Sequence, residues 1–315
     1  MALAIVVVCT LLLLVGVAMA VAWGGQAVKG PSEAVSRAGP PVASSASPVD
    51  GTVNVQVSAL RRYLWWANVA TVAALASGVL VAGAGGRLVM RVLAVTSPDS
   101  AQGRLTEALA TVGFPTVGGS IALFIFGGLP AGFAAAFVYL LIHRWLPAGR
   151  WAGPLLGVFL LLLFGASVEP LRVDNIDFAI VGPGWLSVLL FSMLAVLHGA
   201  VVAAVAGAFS RRLPLPFKKN WKYYLPLLAA ILFVPAGIVL AVGALAVMVW
   251  SRLVPAGWGT QRSAAAATSG ASGTALPAAA RRRTAVTWAG PGLLGVAAIA
   301  ALPLFISAVT SIVSR

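Results

Sequence analysis

Seven long apolar stretches divide this chain, each bounded by glycine, proline or charged residues. A helix of about twenty apolar residues crosses the hydrocarbon core of a bilayer, which is about 30 Å thick. The pattern predicts such helices over residues 2–23, 63–91, 117–142, 151–168, 184–209, 223–250 and 286–313. Two further segments, 24–60 and 256–285, are rich in Gly, Pro, Ser and Ala and too poor in large apolar residues to bury a core, so they read as linkers. The organisation expected is an N-terminal span (1–23), a linker (24–60), a four-span core (61–212), a basic loop with a long sixth span (213–255), a second linker (256–285) and a C-terminal span (286–315). The fold class is all-α, a polytopic transmembrane bundle of about seven spans, or of six spans and a re-entrant segment.

Charge orients this series. Arg211, Arg212, Lys218, Lys219 and Lys222 follow the fifth stretch with no acid among them, which marks a cytoplasmic loop. Arg61 and Arg62 before Tyr63-Leu64-Trp65-Trp66 mark the cytoplasmic entry of the second span, with an aromatic belt at the interface. The loops holding Asp99, Arg104 and Glu107, and Glu169, Arg172, Asp174 and Asp177, then fall outside. The first stretch reads as an uncleaved span because Lys29 and Arg37 follow it and no cation precedes it; Ala18-Met19-Ala20 is the signal-peptide alternative. The 223–250 stretch would be about 42 Å long as one helix, too long for the core. It reads as a tilted span, with a re-entrant hairpin at Pro235-Ala236-Gly237 as the alternative that would keep Arg252, Arg262 and Arg281 to Arg283 cytoplasmic.

Composition agrees with a membrane protein: 60% of residues are hydrophobic and 9% charged. The net charge of +14 sits in loops and at span ends, where it suits anionic headgroups and not nucleic acid. The single cysteine, Cys9, allows neither a disulfide nor a zinc site within one chain. Arginine outnumbers lysine, and Ala, Gly and Val abound, as in proteins from GC-rich bacterial genomes. A bacterial plasma membrane is the expected location.

Several short motifs carry a resemblance: Gly86-Arg87 with Met90-Arg91, Ser97-Pro98-Asp99, Thr106-Glu107-Ala108, Val117-Gly118-Gly119, Asp174-Asn175-Ile176-Asp177-Phe178 and Gly182-Pro183-Gly184-Trp185. Over residues 70–212 the chain resembles uncharacterised multi-pass membrane proteins of actinobacteria. The resemblance implies a place in the membrane and a shared outer face, and no activity.

Small residues at four-residue spacing, Gly78, Ala82 and Gly86 in the second span and Gly199, Ala203 and Gly207 in the fifth, predict faces that admit a second helix closely. Tetrads of the type Leu129-Pro130-Ala131-Gly132 recur at 146–149, 234–237 and 254–257, and biased composition explains them better than an inverted repeat does. All seven acids lie in loops, which argues against a proton-coupled carrier. His198, in the middle of the fifth span, is the candidate intramembrane polar site, read first as a neutral packing residue. Ser167 with His198 lacks the glycine that should follow a nucleophilic serine. Glu169, Asp174 and Asp177 offer oxygen ligands without the spacing of a calcium loop; a solvated loop paired with Arg87, Arg91 or Arg172 fits better.

No cofactor or metal motif is present. The outer ends of spans two to five are expected to form a charge cap of Arg87, Arg91, Glu107, Glu169, Asp174 and Asp177, with one of the two arginines paired to one of the four acids. The function expected is a structural or accessory role, docking to another membrane or envelope component. A small-solute transporter is the alternative and a membrane enzyme the third reading.

Overall fold

The computed structural model describes residues 2–31, 58–108, 110–253 and 276–314, without the side chains of 218, 232 and 276–288. Most of the two expected linkers, with Glu33, Asp50 and residues 254–275, lies outside the described residues. The fold is all-α: helices make up most of the described residues. Among the described residues the extended pairing is a single bridge, Leu105 to Thr111.

We number the helices α1 (Ala2–Trp23), α2 (Ala59–Thr96), α3 (Val117–Ile142), α4 (Ala152–Phe164), α5 (Gly184–Ser210), α6 (Pro226–Leu232), α7 (Val234–Leu253) and α8 (Leu276–Val313). Six of them, all but α4 and α6, are long and apolar enough to cross a membrane. This is a multi-pass integral membrane protein. The fourth expected span is shorter than its apolar stretch: α4 has 13 residues, about 20 Å, and turns follow from Gly165 onward. The sixth is not one tilted helix. It breaks at Phe233, whose extended backbone (φ −81°, ψ 90°) separates α6 from α7. Pro235, in the first turn of α7, has no N–H to continue a helix from α6. Gly237 lies so close to Ile231 that a Cβ there would sit 2.9 Å from its carbonyl oxygen. The last helix begins earlier than expected, at Leu276.

Two compact units divide the chain. The first comprises Met1–Ala27, Val72–Ala208 and Trp288–Arg315, and the second Val28–Thr71 and Phe209–Thr287.

Glycine builds the interior of the first unit. In α2 and α3 the helices widen into facing π-helical segments, Gly78–Gly83 and Leu123–Gly128. Ala84 N–H donates five residues back to Val79 O, and Leu129 N–H to Phe124 O. Gly78 and Gly128 meet backbone to backbone, and a Cβ on either would lie 2.6 Å from the other's carbonyl oxygen. Gly132 faces Ala74 O and the Gly78 backbone in the same way. The extra residue in α2 shifts the small-residue face: Gly78 packs as expected, but Gly86 has little against it, while Gly83 lies on Phe124 and Gly85 on Leu194. The expected face on α5 is used. Gly199 meets Gly153 and Gly157 of α4, Gly153 also touches Ala203, and Gly207 abuts Gln26. A second core joins Leu161, Leu171 and Phe178 to Ile312 near the end of α8.

In the second unit the first turns of α2 are tied to the segment after α5. Trp65 Nε1 donates to Leu213 O (3.2 Å), Asn68 Nδ2 to Tyr223 O (2.9 Å) and Tyr63 Oη to Leu240 O of α7 (2.8 Å).

Candidate functional site: a carboxylate cap built on Arg172

The connections α2–α3 and α4–α5 fold into one cap within the first unit. Residues 97–116 form a small hairpin: Gly103 N–H donates to Val112 O (3.1 Å), Val112 N–H to Arg104 O (2.9 Å) and Thr106 N–H to Ala110 O (2.9 Å). Gly103 and Gly113 sit at φ +79° and +86°, where residues with a Cβ are strained. Residues 165–183 are held by buried Leu171 and by an Asx turn in which Asn175 Oδ1 accepts from Asp177 N–H (2.8 Å). Three contacts join the segments besides the ion pair of Arg172 with Glu107. Glu107 N–H donates to Asp177 Oδ1 (2.8 Å), Gly182 N–H donates to Ser97 Oγ (2.6 Å), and Ala94, Ala101, Val112 and Ile180 share a small core.

This folding gathers the acids. Arg172 pairs with Glu107, lies 3.3 Å from Asp174 Oδ1 and 3.7 Å from Glu169 Oε1, and is itself half-buried. Asp177 is drawn in through the Glu107 backbone. Burial lifts the Glu169 carboxyl above its ordinary value; Arg172 opposes this, and Glu107, Asp177 and Asp174 add to it. Asp177 is also lifted, chiefly by burial, with the Glu107 N–H opposing. Three carboxylates thus share one guanidinium with Asp177 close by, and the cluster is net negative.

Arg87 and Arg91 are placed differently from expectation. Arg87 Nε donates to Ser120 Oγ (2.9 Å) and Nη2 to Thr116 O (3.3 Å), while Arg91 Nη1 donates to Gly113 O (3.0 Å). Among the described residues no ion pair joins either arginine to an acid, and the cation among the acids is Arg172. The reason is local: the backbone entering α3 offers neutral oxygens beside the last turns of α2, whereas Arg172 lies in the segment that carries three of the acids. Arg87 and Arg91 anchor the hairpin; Arg172 holds the carboxylates. The clue in the sequence was Arg172 standing between Glu169 and Asp174.

His198 lies apart from the cap. Its Nε2 donates to Ala131 O of α3 (3.4 Å), and its Nδ1 is buried without a hydrogen-bond partner. The Ser167 hydroxyl donates to Leu163 O (3.3 Å), so the two residues form no nucleophile–base pair. Among the described residues no group of three His, Cys, Asp or Glu side chains has the geometry to hold a metal ion. A hollow of about 360 Å³ beside α1 is lined by apolar side chains such as Val8, Ile121 and Phe124, together with Ser120, which is already engaged by Arg87.

No family model, no curated protein and no solved structure matches the chain.

Proposed function

We propose that this is a multi-pass protein of a bacterial plasma membrane with a structural or accessory role, docking through its cap to another membrane or envelope component. The observation that carries this reading is that the cap is a folded surface rather than two slack loops. It holds a net negative cluster, and Leu105 and Ile176 stand exposed on the same two segments as the acids. A rigid patch with apolar side chains beside carboxylates suits a protein partner that offers cations and an apolar anchor. Support also comes from the interior, where backbone contacts between glycines leave little room for a solute path. The acidic cap is extracytoplasmic in this proposal, and the cations after α5 meet anionic headgroups on the cytoplasmic side.

The test is a photoreactive amino acid at Ile176 in cells. A discrete crosslinked protein, lost when Glu107 and Asp174 are both replaced by Lys, is expected. Crosslinks to lipid alone would overturn the docking role. Sidedness is tested with cysteines at Asp174 and Lys218 in a Cys9→Ser background and an impermeant thiol reagent on intact cells; labelling at 218 alone would reverse the orientation.

A further inference from the structure

The second unit holds an open cleft of about 850 Å³ between the start of α2 and the segment after α5. We propose that it is a binding site for one anionic phospholipid headgroup. The side chains around it are of three kinds: the cations Arg61 and Lys219, the aromatic residues Phe217, Trp221 and Tyr224, and an apolar base that includes Leu64. Among the described residues the second unit contains no acid.

The walls are built and not accidental. Although far apart in sequence, they are pinned by the hydrogen bonds of Trp65 to Leu213 O and Asn68 to Tyr223 O. A third bond, from Tyr224 Oη to Pro214 O (2.7 Å), fixes the far side. The Arg61 guanidinium carbon lies 4.9 Å from the centre of the Phe217 ring. A guanidinium held against a ring keeps its N–H donors available in its own plane, and a phosphodiester takes up that geometry as a paired acceptor. Position selects lipid as the source of the phosphate. Arg61 lies in the first turn of a membrane-crossing helix, and Trp221 is 66% exposed beside it, as interfacial tryptophans are. A headgroup there leaves its acyl chains over Leu64 and Leu227, which a free phosphate would leave uncovered.

The test uses the full chain in mild detergent, with native mass spectrometry against equal amounts of phosphatidylglycerol and phosphatidylcholine. The expected result is preferential retention of phosphatidylglycerol, reduced about fivefold for each of Arg61→Gln and Lys219→Gln. Arg252→Gln, which removes a cation that does not line the cleft, should leave retention unchanged. Inorganic phosphate should not displace the lipid. In wild-type protein a phosphatidylglycerol with a photoreactive headgroup should label residues 214–227, a result that needs no variant to fold. Equal retention of both lipids, an Arg252→Gln loss as large as that of Arg61→Gln, displacement by inorganic phosphate, or labelling confined to other segments would each overturn the site.

Discussion

Helices α2 and α7 both pass for membrane spans, yet 67% of an apolar 18-residue stretch of α2 is buried in the protein against 6% for that of α7. Of the six spanning helices, α2 is the least hydrophobic. Small residues that let backbones touch are what allow α2 to face protein. On α2 these are Gly78 and Gly83, each of which lies against α3. On α7, Gly243 lies under the Tyr63 ring, while Ile238, Val239, Val242 and Leu245 are exposed.

The largest effect should come from filling the contact of α2 with α3. Gly132→Val places a side chain against Ala74 O and should lower stability by about 3 kcal/mol or prevent folding. Gly295→Val on α8, with no atom within 4 Å of the added Cβ, should stay within about 0.5 kcal/mol. Thermal unfolding in detergent separates the two, and equal losses would erase the distinction between buried and lipid-facing helices. Next, Arg172→Gln removes the cation shared by Glu107, Glu169 and Asp174. It should speed limited proteolysis in 97–116 and 165–183 while the helices stay protected, and adding Glu107→Gln should restore part of the resistance.

A smaller effect is expected from pH. Glu169 and Asp177 have carboxyls raised in the folded state, so the stability they contribute is complete below their ordinary values and is lost as pH rises through the raised ones. Acidification from neutral pH through the raised values should therefore tighten the cap, read as a rise in melting temperature. Glu169→Gln should be at least as stable as wild type at pH 7 and show a flatter profile of melting temperature against pH. The smallest change belongs to His198. Replacement by Gln keeps a donor for Ala131 O and should be nearly silent, whereas Leu should cost about 0.6 kcal/mol, the usual scale of a hydrogen bond between membrane helices. A loss of several kcal/mol in His198→Gln would mean that the imidazole does more than pack.

The spans were legible because hydrophobic length is a property of the residues alone; α1, α3 and α5 begin and end within a residue or so of their apolar stretches. Their interruptions were less so. Pro235 signalled a disturbance in the sixth span, but whether the chain tilts or breaks depends on Phe233 and on the approach of Gly237 to Ile231, neither of which has a local signature. The four acids of the cap were readable as one set, since topology sends their loops to one side. Their partner was not, because charge along a sequence says nothing of competing neutral acceptors. Gly113 O and Thr116 O take Arg91 and Arg87 before any carboxylate reaches them.

The paired π-helical segments at Gly78–Gly83 and Leu123–Gly128 also bear on how this chain tolerates insertion and deletion. Such a turn is an α-helix that has absorbed one residue, and losing that residue would rotate everything beyond it by about 100°. In α2 that rotation would swing Arg87 and Arg91 off the hairpin they hold, although every residue retained would be unaltered. A matching loss in α3 would turn Gly132 away from Ala74. The two widened turns thus work as a phase lock, and a lineage that drops a residue from one is left with a misaligned partner in the other.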